Sequence, residues 1–136
     1  MPTSLSFFCA GVLLLTATSS HAHGPTEETV KPRLQQALPN VPGKQFTAVT
    51  VEFAPGAAAK PHRHGEAFVY AYVLAGTVRS QLEGEPAQDY RTGQSWHEPP
   101  GAHHTITRNL SRKRPARLLV VFIATPGDPL KVPDAP

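Results

Sequence analysis

From Gln45 to Ala124 the chain runs in short stretches of β-branched, aromatic and aliphatic residues, broken by turn residues roughly every ten positions. Gln45–Phe53 (QFTAVTVEF) alternates apolar with polar residues, the pattern of a strand with one wet face, and Pro55-Gly56 ends it. Ala67–Leu74 (AFVYAYVL) is nearly continuous in apolar and aromatic residues and stops at Gly76, which predicts a strand buried on both faces. Thr77–Leu82 alternates again. Asp89–Arg91, Ser95–Glu98, His104–Arg108 and Arg117–Ala124 supply further short strands, punctuated by Gly93, Pro99-Pro100-Gly101 and Asn109. No segment sustains a helical period, so the expected fold is an all-β sandwich or barrel.

The chain's 136 residues suit one domain with short extensions. Residues 1–22 read as a secretory signal. Leu5–Thr16 is an apolar run too short to span a bilayer, and Ser20 and Ala22 place small residues before a cleavage point. Cys9 is the only cysteine and would leave with that signal, so the expected secreted or periplasmic protein has no disulfide and no thiolate chemistry. Residues 23–44 form a Pro-rich lead-in arm with room for one short helical turn between Thr26 and Leu38, limited by Pro32. Residues 45–124 are the barrel. Residues 125–136 are a Pro-rich tail, expected to be extended or mobile.

The net charge of +3 owes much to Arg108, Arg112, Lys113, Arg114 and Arg117, which read as a solvated loop between strands. Motifs for nucleic-acid binding, nucleophilic Ser or Cys catalysis and phosphate loops are absent. No nucleic-acid partner is expected, and no membrane association once the signal is removed.

His62 and His64 carry the chemistry. On extended chain, side chains two apart share a face, so both imidazoles can aim at one ion. Farther on, Pro99-Pro100-Gly101-Ala102-His103-His104 leads into another strand and fixes where the following histidine projects. His103 would point to the face opposite His104. A lone histidine is more often a surface or hydrogen-bonded group, which is the expectation for His97, and His23 reads as a mobile terminus.

These stretches resemble the two motifs of the cupin superfamily. The first runs from Gly56 through His62-Arg63-His64 to Tyr72-Val73-Leu74-Ala75-Gly76. The second runs from Gly93 through Pro99-Pro100-Gly101 to His104, with Asn109 after it. Together they cover residues 56–109, and flanking strands extend the likeness to about 46–124. The resemblance implies a single jelly-roll barrel with His62, His64 and His104 around one metal. It also implies a carboxylate ligand at the position held by Val69, which cannot bind a metal. Glu66 is the nearest carboxylate and takes that role if a bulge or short loop after His64 turns it inward. Glu98 and water are the alternatives.

Ala71, Val73 and Ala75 share the phase of Val69 and are small enough to leave a cavity. Phe68, Tyr70 and Tyr72 lie on the other phase and would pack between sheets or across a homodimer interface. Trp96, Ile106 and Gln81 are candidates for the cavity wall, and Arg79 for holding an anionic substrate. The cofactor implied is a divalent transition metal, with Fe, Mn, Ni, Cu and Zn all suited to imidazole. The partner implied is a small-molecule substrate or ligand. Two functions remain open: a metal-dependent enzyme of dioxygenase-like or isomerase/lyase-like chemistry, or a non-catalytic metal or small-ligand binding protein.

Overall fold

The computed structural model describes residues 27–135, and the expected export signal and His23 lie outside them. In chain order the strands are β1 Glu28–Ala37, β2 Gln45–Phe53, β3 Ala58–Ala59, β4 His62–Arg63, β5 Phe68–Ala75, β6 Thr77–Leu82, β7 Gln88–Arg91, β8 Ser95–Glu98, β9 His103–Asn109, β10 Ala116–Ala124 and β11 Val132–Pro133. Among the described residues there is no helix. One antiparallel sheet has the order β1-β2-β10-β5-β8. The other has β11-β4-β9-β6-β7, with β3 added to β9. The two sheets face each other as a jelly roll without joining into one closed hydrogen-bonded ring.

Alternation decides what lies between the sheets. Val69, Ala71 and Val73 of β5 meet Leu118, Val120 and Phe122 of β10, with Phe53 and Val78 completing the fully buried core. Each such Val, Leu or Phe contributes roughly 1.5–3 kcal/mol when fully buried. β5 differs from expectation, because it is buried on one face only. Phe68 and Tyr70 are about two-fifths exposed on the outer face, alongside Leu119, Val121 and Ile123 of β10. Apolar content on both phases of a strand therefore does not make both faces internal here.

Both flanks are more ordered than composition implies. Among the described residues the lead-in arm forms no helical turn: β1 pairs with β2 along its whole length, from Glu28↔Phe53 to Ala37↔Gln45. Its register shifts between Pro32 and Leu34, and an edge strand tolerates a proline that cannot donate to the ladder. The tail is extended as expected. It is also anchored, because Val132 and Pro133 pair with Arg63 and His62 of β4. Asp134 N–H donates to the Pro61 carbonyl at 3.1 Å.

Asn109 secures the far end of β9. Its amide donates to the carbonyls of Ala54 at 3.1 Å and Arg114 at 2.8 Å, and its own oxygen accepts from Ser111 N–H at 2.9 Å. Gly76 is the corner where the chain passes from β5 in one sheet to β6 in the other. It has φ +85°, and a Cβ there would stand 3.0 Å from Ala116 Cβ and 3.2 Å from the Pro115 carbonyl. Left-handed backbone and overpacking against a neighbouring strand both oppose any side chain. Gly76→Ala is expected to lower stability by about 2–4 kcal/mol, read as a lower urea midpoint at unchanged m-value.

Candidate metal centre

His62 is the first residue of β4, and its cross-strand partner on β9 is His104. Directly opposed side chains on one face stand about 5 Å apart at Cβ, so pairing alone brings the two rings together. His64 follows two residues on. Beyond it the chain turns at Gly65 (φ 57°), where Ala67 N–H donates to the His64 carbonyl at 3.1 Å. A register shift lets β9 present two inward groups three positions apart. Leu82 opposes His104 while Gln81 opposes Ile106, so Thr105 is an extra residue and Thr107 faces in with His104. The ring centroids lie 4.7 Å apart for His62–His64 and 5.2 Å for His62–His104. One ligand atom from each of the three rings lies within 4.8 Å of the others.

The tautomers follow from the hydrogen bonds. His62 Nδ1–H donates to the Lys60 carbonyl at 2.7 Å, and His64 Nδ1–H donates to the Leu130 carbonyl. Both Nε2 atoms are then bare acceptors, yet they face each other at 3.1 Å. Burial pushes His62 down to about 4 despite the Lys60 carbonyl, and its neighbours His64 and His104 push the same way. Burial also lowers His64, with Glu98 and the Leu130 carbonyl opposing. At neutral pH these two lone pairs therefore confront one another with no proton between them. His104 Nε2 lies 2.8 Å from both Ser80 Oγ and Thr107 Oγ1. With its hydrogen on Nε2, shared with those hydroxyl oxygens, that ring leaves Nδ1 bare. Nδ1 stands 3.0 Å from Glu98 Oε1 but is misaligned for a hydrogen bond, so it has no such partner among the described residues.

Glu98 is the carboxylate at this cluster. It is 2% exposed, and its Oε1 accepts from Trp96 Nε1–H at 3.1 Å. Its Oε2 lies 3.5 Å from His64 Nε2 and lacks a hydrogen-bond partner among the described residues. Burial alone would push this carboxyl up, but His104 and His64, when protonated, together with the Trp96 N–H pull it below its ordinary value. Glu98 is also the cross-strand partner of Val69. The position at which the cupin pattern places a carboxylate on β5 therefore lies directly opposite a carboxylate on β8.

A divalent ion fits these residues. It would satisfy the opposed Nε2 pair, the bare His104 nitrogen and the orphaned Glu98 oxygen together. The 3.1 Å between Nε2 atoms is close to the roughly 3.0–3.4 Å between neighbouring ligands bound at about 2.1 Å.

The structure does not bring Glu66 to the cluster. It sits exposed in the turn after His64, where the bend projects it to solvent. His103 faces away from the trio, between Asp134 Oδ2 at 2.8 Å and Glu83 Oε2 at 3.3 Å. His97 is exposed and stacks on Phe68 at 5.8 Å. Arg79 is no anion site of the cavity: it lies exposed on β6 in a two-bond ion pair with its cross-strand partner Asp89, at 2.7 and 2.9 Å.

A cavity of about 160 Å³ opens beside the cluster. Its wall is almost wholly apolar, including Ala71, Val120, Phe122 and Trp96, while Gln81 and Ile106 lie elsewhere. Sequence reasoning missed Ser80, Thr107, Glu28, Leu130 and Lys131. Ser80 had a signal, since it shares the inward phase of Val78 and Leu82 on β6. The others depend on the β9 bulge or on where the two chain ends pass, which no local pattern records.

The His62 shift fixes a pH dependence. The unfolded side chain takes its proton near 6.5 and the folded one only near 4, so in that window the unfolded chain binds more protons. For metal-free protein the urea midpoint is expected to be highest above pH 6.5 and to fall as the pH drops toward 4. His62→Gln should make that fall shallower.

Residues 49–122 match the family model described as the cupin domain. No curated protein matches the sequence. Among solved structures, TT1209 from Thermus thermophilus is 29% identical with a TM-score of 0.61, over 76% of this chain and 89% of that one. The DMSP lyase DddQ from Ruegeria pomeroyi DSS-3 is 26% identical with a TM-score of 0.57, over 65% of this chain and 42% of that one. A recombinant oxalate oxidase in complex with glycolate has a TM-score of 0.62 over 82% of this chain and 57% of that one. At 22% identity that last likeness concerns the fold alone. The paired-sheet architecture, the histidine trio facing into it and a family match over more than half of the chain agree, and the protein belongs to the cupin domain family.

Proposed function

We propose that the protein is an exported, metal-dependent enzyme acting on a small molecule, with His62, His64, His104 and Glu98 as the metal-binding set. One observation carries the reading: three imidazoles offer ligand atoms within 4.8 Å of one another at the wall of a compact apolar cavity, with the Glu98 carboxylate 3.0 Å from His104 and 3.5 Å from His64. When bound, the metal supplies Lewis-acid polarisation of a substrate oxygen or a place for O₂. The chain's own residues do the rest. The Lys60 and Leu130 carbonyls lock the tautomers of His62 and His64, and Ser80 and Thr107 orient His104. Trp96 holds Glu98 by one oxygen and leaves the other free. The apolar wall excludes bulk water from the open side. A volume near 160 Å³ suits a body about as large as benzene.

Dioxygenase-like and isomerase- or lyase-like chemistry both fit such a centre, and the likeness to a lyase and an oxidase supports that range. The second reading is a non-catalytic binder of metal or small ligand. It is favoured by the scarcity of acid–base groups: once Glu98 serves as ligand, the acid left in the cavity lining among the described residues is Glu28, which is paired with Lys131. Secretion or delivery to the periplasm rests on the character of residues 1–22.

The test is metal analysis after incubation with Fe, Mn, Ni, Cu and Zn in turn, followed by oxygen uptake and substrate loss with a panel of small enolisable compounds. Wild type is expected to retain a single ion per chain. His62→Ala and His104→Ala should abolish retention, Glu98→Gln should weaken it at least about tenfold, and Glu66→Gln should leave it unchanged. Retained metal without turnover on any compound favours the binder. A wild type that retains none of the metals rejects the enzyme reading and the metal-binding form of the second.

A further inference from the structure

The cavity has a second polar pole that the metal centre does not use. Among the described residues lining it, Glu28 and Lys131 are the charged side chains outside the ligand cluster. They arrive from opposite ends of the chain, Glu28 at the start of β1 and Lys131 just before β11. The Glu28 side chain is 8% exposed, and its Oε1 accepts from Lys131 Nζ. Its Oε2 is buried and has no hydrogen-bond partner among the described residues. Carboxylate oxygens left without a donor in an apolar wall are costly, so such an atom calls for a group that can donate to it.

The chemistry of that group is narrow. An anion would be repelled by the carboxylate. A second cation is not required, because Lys131 already balances the charge. What remains is a neutral O–H or N–H. Val49, Val51, Val120 and Phe122 in the same lining offer only hydrocarbon contact, and the volume admits about one six-membered ring.

We propose that Glu28, held by Lys131, is the specificity-determining acceptor of this cavity. Its ligand is then a small, single-ring-sized molecule that presents a hydroxyl or N–H to Glu28 and an oxygen to the histidine cluster. This deepens the proposed function and rests on the cavity being the substrate site.

The experiment uses two probes of nearly equal size, phenol and fluorobenzene, titrated by NMR into the full-length protein freed of metal. Phenol is expected to bind at least about tenfold more tightly than fluorobenzene, which is one step of about 1.4 kcal/mol. The preference should vanish in Glu28→Met, which keeps the wall filled and frees Lys131, already one-third exposed, to turn to water. Equal affinity of the two probes for wild type overturns the inference, as does a phenol preference that survives in Glu28→Met. The wild-type comparison stands even if the variant folds poorly. Metal retention is measured on the same preparation, so loss of the metal reading and loss of this one are separate results.

Discussion

Two imidazole nitrogens that face each other as acceptors are the constraint on which this structure turns. The backbone commits the Nδ1 hydrogens of His62 and His64 to carbonyls on either side, so their Nε2 lone pairs meet at 3.1 Å. Two such lone pairs repel in a buried setting unless a cation lies between them. Everything nearby is consistent with that demand. The neighbouring Glu98 is kept ionised and has a free oxygen, and His104 is held by hydroxyls on its far side. One divalent ion at this point would relieve the conflict.

The jelly roll delivers this arrangement through registers. His62 and His104 are opposed by β4–β9 pairing, and Glu98 is opposed to Val69 by β5–β8 pairing. The cupin pattern assigns its carboxylate to β5. Here valine fills that position, and the strand beside it supplies the acid from the directly opposite residue. Opposed positions share a face and stand close, so the carboxylate can change strands while keeping its place in the cavity wall. If Glu98 is a ligand, as proposed, a carboxylate missing from one strand is offered by its neighbour.

Much of the fold is legible in alternation. It delimits β2 at Gln45–Phe53 and marks the inward phase of Val69, Ala71 and Val73, because period-two patterning is local. The same rule separates His104 from His103. It does not distinguish Glu98 from Glu66, because choosing between them requires knowing which strand lies beside β5 and how the turn after His64 bends. It also overstates the burial of β5, whose outer aromatics lie on an exposed sheet face. The chain ends are the least legible. Proline content describes the tail as extended, yet its value lies in one backbone carbonyl on His64 and one lysine on Glu28. Contacts made by backbone atoms across distant parts of the chain leave no trace in composition.

The most direct test of the central claim is X-ray absorption spectroscopy of the metal-loaded protein at the metal edge. The account predicts a first shell with three imidazoles and at least one oxygen, and loss of one oxygen scatterer without loss of imidazole in Glu98→Leu. A shell with fewer than three imidazoles, or one left unaltered by Glu98→Leu, would contradict it.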